Sequence, residues 1–232
     1  MFRVIKLKPI LMIMGIIMVS VLLSIGIVSV VDMKEVPKSA YTIVIDAGHG
    51  GRDDGCSGVS GSKESDINLK IAKRLKNYLE TYGIEVVMTR SDGNALYDAN
   101  ATNFKESDMT NRVKLIDDAN PHMVISIHQN SFTDETVRGA QAFYQEDDES
   151  SKLFAEGVQS QLMSQLPDAR KEANAGDYYL LKESNFPAII VECGYLTNSD
   201  EESLLITEDY QNKVAYSIMC GVVKYFHLAG ND

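Results

Sequence analysis

Three strand-like apolar runs in this chain each lead into a residue able to bind a metal or move a proton. Ile43-Val44-Ile45-Asp46-Ala47 runs into Gly48-His49-Gly50-Gly51, Met123-Val124-Ile125-Ser126-Ile127 ends on His128, and Ala188-Ile189-Ile190-Val191 ends on Glu192. In open α/β sheets the carboxyl ends of parallel strands converge on one crevice, where ligands bind. A lone histidine after a strand is more often a hydrogen-bonded structural residue. Two of the chain's four histidines placed this way, with a glutamate leaving a third strand, reverse that reading. Charged groups at such places are seldom tolerated in a core without a partner.

The chemistry this suggests is that of a zinc hydrolase, which takes three protein ligands from His and Asp/Glu and leaves a position for water. His49 and His128 supply two. Glu64 is the choice for the third, because it stands just before Ser65, a candidate N-cap for the helix that carries Ile67. The positive end of that helix favours an ionised carboxylate. Asp53, Asp54 and Asp66 compete for the role on spacing alone, and Cys56 is a further, weaker candidate. Glu192 is then free to act as the base that takes a proton from water. His122 precedes its strand, so it belongs at the opposite edge, and His227 lies near the carboxyl terminus; both read as incidental.

The elements that must position these residues follow from periodicity. After the first strand comes a loop rich in glycine, from Gly50 to Gly61. Ile67, Ile71, Leu75, Tyr78 and Tyr82 recur at helical spacing, and Gly83 offers a stop. Ile84 to Thr89 reads as a strand, Ser91 to Asp108 as a polar loop beside the site, and Val113, Ile116 and Ala119 as a helix leading to the His128 strand. Gly139 to Tyr144 alternates as a strand at the sheet edge. A helix spans Ser150 to Leu166 with Leu153, Phe154, Val158 and Leu162 on its stripe, and Pro167 ends it. Tyr178 to Leu181 reads as a short extended segment before the Glu192 strand, and a closing helix carries Val214, Ile218, Val222 and Phe226. This order predicts an α/β fold: a three-layer sandwich with a mostly parallel or mixed twisted sheet flanked by helices. Right-handed crossovers then bring His49, His128 and Glu192 to one edge.

Residues 1–33 stand apart. Arg3, Lys6 and Lys8 precede an uncharged apolar stretch from Ile10 to Val31, long enough to cross a hydrocarbon core of roughly 30 Å at about 1.5 Å per residue. The stretch exceeds the apolar core of a cleaved signal and lacks an A-x-A-like site, so it reads as an uncleaved signal anchor, one N-terminal transmembrane helix. The preceding positive charge orients the rest of the chain outside the cytoplasm. A short polar linker, residues 34–40 with Pro37, leads to a catalytic domain over 41–228.

The formal net charge of −11 becomes about −14 once the anchor-side cations Arg3, Lys6 and Lys8 are set aside. Nucleic acid is excluded as a partner, since it selects for basic patches. Three cysteines without C-x-x-C spacing form neither a disulfide framework nor a zinc knuckle. Cys193 and Cys220, in apolar segments, read as small buried residues. The glycines after the first strand do not make a dinucleotide site, because Asp53 occupies the third glycine position. There is no phosphate loop, G-x-S-x-G elbow or H-E-x-x-H.

Four ordered segments carry a family resemblance: Asp46-Ala47-Gly48-His49-Gly50-Gly51, Lys63-Glu64-Ser65-Asp66-Ile67-Asn68-Leu69, Ser126-Ile127-His128-Gln129-Asn130 and Val191-Glu192-Cys193-Gly194-Tyr195-Leu196-Thr197-Asn198. Together they resemble the zinc-dependent N-acetylmuramoyl-L-alanine amidases of bacterial cell walls, over Tyr41 to Phe226. The resemblance implies one catalytic Zn2+ on His49, Glu64 and His128, with Glu192 catalytic. It implies cleavage of the amide joining the lactyl group of muramic acid to L-alanine of the peptidoglycan stem peptide. A single anchor and a bare catalytic domain most resemble the sporulation and germination-type amidases of endospore formers. That group strips stem peptides during spore cortex synthesis, a step toward muramic-δ-lactam, which implies a place at the forespore envelope. Ser131 stands where alanine is common, and the Gly93 to Asp108 loop looks peculiar to this chain. Some relatives block the zinc with an added segment until an activator protein binds. The rival readings are a zinc peptidase cutting within the stem peptide and a catalytically silent wall-binding protein; the base Glu192 argues against the latter.

Overall fold

A computed structural model of the chain describes residues 41–229, with side chains through 226. The expected anchor and linker, residues 1–33 and 34–40, lie outside the described residues, as does the side chain of His227. Among the described residues no helix is long and apolar enough to cross a membrane.

The sheet has six strands: β1 (Thr42–Ala47), β2 (Glu85–Met88), β3 (Met123–Asn130), β4 (Gln141–Tyr144), β5 (Asn174–Ala175) and β6 (Ala188–Tyr195), in the order β2-β1-β3-β6-β4-β5. The β2, β1, β3 and β6 neighbours are parallel, and β4 turns antiparallel against β6. Helices cover both faces, which is why β1, β3 and β6 read as unbroken apolar runs rather than alternating ones. The helices are α1 (Glu64–Thr81), α2 (Phe104–Ala119), α3 (Glu149–Gln165), α4 (Tyr179–Glu183), α5 (Ser199–Leu205) and α6 (Glu208–Ala229).

Strand parity decides what each face carries. Ile43, Ile45, Ile125, Ile127, Ile189 and Val191 point into a large core under α1, α3 and α6. Val44, Val124 and Ile190 point into a smaller core with Ile116 of α2 and Leu180 and Leu181 of α4. The register pairs Asp46 with Ser126 and His128 with Glu192. At two residues per repeat, His128 and Glu192 therefore emerge beside each other on the face of the smaller core.

α1 begins at Glu64, not after Ser65. Lys63 is the residue before the helix and has no capping side chain; the free N–H groups of Glu64 and Ser65 bond instead to the carbonyls of Cys56 and Asp54 at 3.1 Å each. The glycine loop itself thus satisfies the helix end. At the other end Gly83 adopts φ +76°, and the Ile84 N–H returns to the Leu79 carbonyl.

Several expectations need correction. The Gly139–Tyr144 strand is not the sheet edge, because the two-residue β5 lies outside β4. Tyr178–Leu181 is not extended: after Tyr178 the chain makes the short helix α4, which buries Leu180 and Leu181 together. The polar loop ends earlier than Asp108. α2 starts at Phe104, where the Asn103 side chain accepts from the Glu106 N–H at 3.3 Å. Leu153, placed on the buried stripe of α3, is 54% exposed.

Candidate metal centre

His49 occupies the turn that leaves β1, with φ +61° between Gly48 and Gly50. A side chain in that left-handed region is strained, and the surroundings must hold it there. Two arginines do so by binding the carbonyls of the turn. Arg112 donates to Ala47 O at 2.8 Å and His49 O at 2.6 Å; Arg90 donates to Ala47 O at 2.8 Å and Gly48 O at 3.0 Å. Arg112 is fully buried and is neutralised by Asp46 at 2.5 Å and Asp108 at 2.8 Å. Burial alone would raise the Asp46 carboxyl. The Arg112 guanidinium and the hydroxyls of Ser126 and Thr89 outweigh it and hold the group at about 2.

Glu64 enters from the first turn of α1, on the opposite side of the β1 turn from α2. Its Oε1 lies 2.9 Å from His128 Nδ1 and 3.3 Å from His49 Nε2. The Gln129 N–H and the Asn68 side-chain amide donate to the same oxygen at 3.1 and 3.2 Å, and the Cys56 N–H donates to Oε2 at 2.8 Å. Burial works against charge on Glu64, but the imidazoles of His128 and His49 hold its carboxyl far below the usual carboxylate range. Burial likewise opposes protonation of His49, yet Glu64 and Asp53 push it up to about 9. The site is organised around positive charge beside Glu64.

Two imidazole nitrogens and one carboxylate oxygen, all within 4.8 Å of one another, make a group that could hold a metal ion. Zinc bonds of about 2.0–2.1 Å in tetrahedral geometry put neighbouring ligand atoms roughly 3.3 Å apart. The observed 2.9 and 3.3 Å separations approach that spacing, and the donor types suit zinc.

The other carboxylates are occupied elsewhere. Asp53 accepts from His49 Nδ1 at 3.1 Å, which fixes the ring that presents Nε2 to Glu64. Asp54 pairs with Lys63, and Asp66 is exposed. Cys56 contributes its backbone N–H, while its thiol faces the carbonyls of Gln129 and Asn130. Cys193 is buried as expected, and Cys220 half-buried. His122 lies at the other end of β1, accepting from the Thr42 N–H at 3.1 Å.

Two glycines are required by the close packing. A Cβ on Gly48 would stand 2.3 Å from the His128 ring, and one on Gly55 2.4 Å from Glu64 Oε2. Glu192, 6% exposed and in register with His128, completes the group. Burial, with the charge of Glu64, pushes its carboxyl up to about 7 against the pull of His128. A cleft of about 280 Å³ opens at the two histidines and runs between Phe104 and Met109 of α2 and Tyr178 and Leu180 at α4. The 91–103 segment contributes to the lining of this cleft. Tyr97 lines it, and the Gly51 N–H donates to Gly93 O at 2.8 Å.

Comparison with known proteins bears on this arrangement directly. The model of the N-acetylmuramoyl-L-alanine amidase family matches residues 43–224. The chain belongs to that family. It is an enzyme, an N-acetylmuramoyl-L-alanine amidase, and the match takes in every residue of the candidate site. A germination-specific N-acetylmuramoyl-L-alanine amidase of Bacillus subtilis is 34% identical over 199 residues, covering 84% of each chain. The CwlD amidase of Clostridioides difficile, solved in complex with the GerS lipoprotein, superposes with a TM-score of 0.78 at 35% identity, over 81% of this chain and 99% of that one. The catalytic domain of the amidase CwlV from Bacillus (Paenibacillus) polymyxa gives 0.72 at 32% identity, over 81% and 98%.

Sequence reasoning missed Asp46, Asp108 and Arg112 as parts of the site and left the role of Arg90 open. The signal was present in the i, i+4 spacing of Asp108 and Arg112, which a search for apolar stripes passes over.

Proposed function

We propose that this amidase is zinc-dependent and cleaves the amide between the lactyl group of N-acetylmuramic acid and L-alanine of the stem peptide. The observation that carries the reading is the convergence of His49, Glu64 and His128 on one point with the buried Glu192 beside them. His49, Glu64 and His128 would hold the zinc, which would supply Lewis-acid polarisation of the scissile carbonyl and a lowered pKa for the attacking water. Glu192 takes the proton from the attacking water as the new C–O bond forms at the lactyl carbonyl. It returns that proton to the L-alanine nitrogen as the C–N bond breaks, leaving a lactyl carboxyl and a stem peptide with a free amino terminus. A carboxyl raised to about 7 suits a group that must both accept and give a proton near neutrality. Asp53 holds the His49 ring, Arg112 its carbonyl and Arg90 the carbonyls of Ala47 and Gly48 before it, so the donor set is fixed before substrate arrives.

The biological setting is spore cortex synthesis, the muramic-δ-lactam pathway needed for germination. The 34% identity to the germination-specific amidase of Bacillus subtilis supports it. Residues 1–33 anchor the enzyme in the membrane with the catalytic domain outside the cytoplasm. The GerS lipoprotein bound to the Clostridioides difficile enzyme supports an activator protein for this chain as well.

The Glu192→Gln enzyme tests the reading. It should keep one zinc per chain yet lose at least about 100-fold in the rate of stem-peptide release, the scale of general base catalysis. Near wild-type release by that variant overturns the role of Glu192.

A further inference from the structure

Glu192 has one side-chain hydrogen-bond partner among the described residues. The Tyr178 hydroxyl donates to Glu192 Oε1 at 3.4 Å, while Oε2, buried, has no partner there. Buried carboxylate oxygens are nearly always hydrogen-bonded, so an asymmetric pair with one oxygen held and one free invites explanation. A long contact of this kind in a substrate-free site is ordinary, because such bonds tighten when the reacting complex forms.

The Tyr178 ring is fixed independently of Glu192. It packs edge-on against Phe143 with centroids 5.4 Å apart, and a Cβ on Gly176 would come within 2.5 Å of it. It stands at the start of α4 and lines the same cleft as His49 and His128. Burial and the nearby Glu192 charge raise its phenol, so it stays protonated and remains a donor.

We propose that Tyr178 is a positioning residue of this site: its hydroxyl fixes Oε1 of Glu192 and leaves Oε2 as the oxygen that exchanges the proton with water and amine. The inference rests on Glu192 acting as the base. Held by one oxygen, the carboxylate cannot rotate away from the reacting atoms, and small losses of alignment are costly in rate.

Tyr178→Phe keeps the ring and removes the hydroxyl. In the full, detergent-solubilised chain loaded with zinc, kcat on peptidoglycan should fall about 10- to 100-fold, with KM, zinc content and melting temperature unchanged. An unchanged kcat, or a loss confined to KM, overturns the proposal. In a Glu192→Asp background the carboxylate is drawn back by one methylene, beyond the reach of the hydroxyl. There the same change should cost less than about threefold, the pattern of coupled rather than independent sites. An equal loss in both backgrounds overturns the positioning role, since Tyr178 then acts without Glu192. Failure of the underlying reading looks different: Glu192→Asp and Glu192→Gln would themselves keep full activity.

Discussion

Glu64 accepts hydrogen bonds from two backbone N–H groups and a side-chain amide while facing two imidazoles, so its charge is heavily committed. Removing either imidazole takes away a donor that no neighbour can replace. His49→Ala and His128→Ala should therefore each lose bound zinc on dialysis, measured by elemental analysis; stoichiometric zinc in both contradicts the donor set. Gly48→Ala tests the same point without touching a donor. Its Cβ would collide with the His128 ring, so zinc affinity in a chelator competition should drop at least about tenfold, as for a lost supporting contact. At this scale the sequence was informative. His49, His128 and Glu192 stood out because each leaves a buried strand, where charge without a partner is costly. Glu64 faces both imidazoles, and the glycine loop, not Ser65, closes the helix end beside it.

Among the elements, α2 shows where periodicity fails as a guide. Its buried positions are Asp108, Arg112 and Ile116, one turn apart, so two of the three residues it turns inward are charged. The apolar positions Val113, Ile116 and Ala119 mark only its C-terminal half, because the inner face of the first turns is an ion network. Arg112→Met would leave Asp46 as an unpaired buried carboxylate, and breaking such a pair costs about 3–5 kcal/mol. The expected result is a large fall in the unfolding midpoint in urea, together with weakened zinc binding, because the His49 turn loses its backbone clamp. An unfolding midpoint like that of the parent would show that the clamp carries little. The short elements β5, α4 and α5 escaped sequence reading for a simpler reason: two to seven residues hold too little of any period. α1, α3 and α6 were readable because long apolar stripes pack on the large core.

For the molecule as a whole, the ion network makes stability depend on acid. Asp46 titrates at about 2 when folded, against an ordinary value of 3.8. A depressed carboxyl stabilises the fold at pH above its unfolded value, and the contribution disappears as pH falls from about 4 to 2. The difference corresponds to roughly 2 kcal/mol. Unfolding followed by circular dichroism should show that loss between pH 4 and 2, and Asp46→Asn should reduce it, leaving the part carried by Glu64; the same acid dependence in both proteins contradicts the assignment. The layered sheet could be read from the order of strands and helices. Which face received His128 and Glu192 could not, because it depends on register between strands far apart in the chain.

The central claim is that His49, Glu64 and His128 hold the zinc with which this amidase frees stem peptides. Its most direct test is to digest purified peptidoglycan with the zinc-loaded chain and, in parallel, with a chelator, and to identify the released fragments by mass spectrometry. Release of whole stem peptides beginning in L-alanine, abolished by the chelator and restored by added zinc, is the predicted result. Release that persists at full rate in the chelator, or fragments cut within the stem peptide, would contradict it.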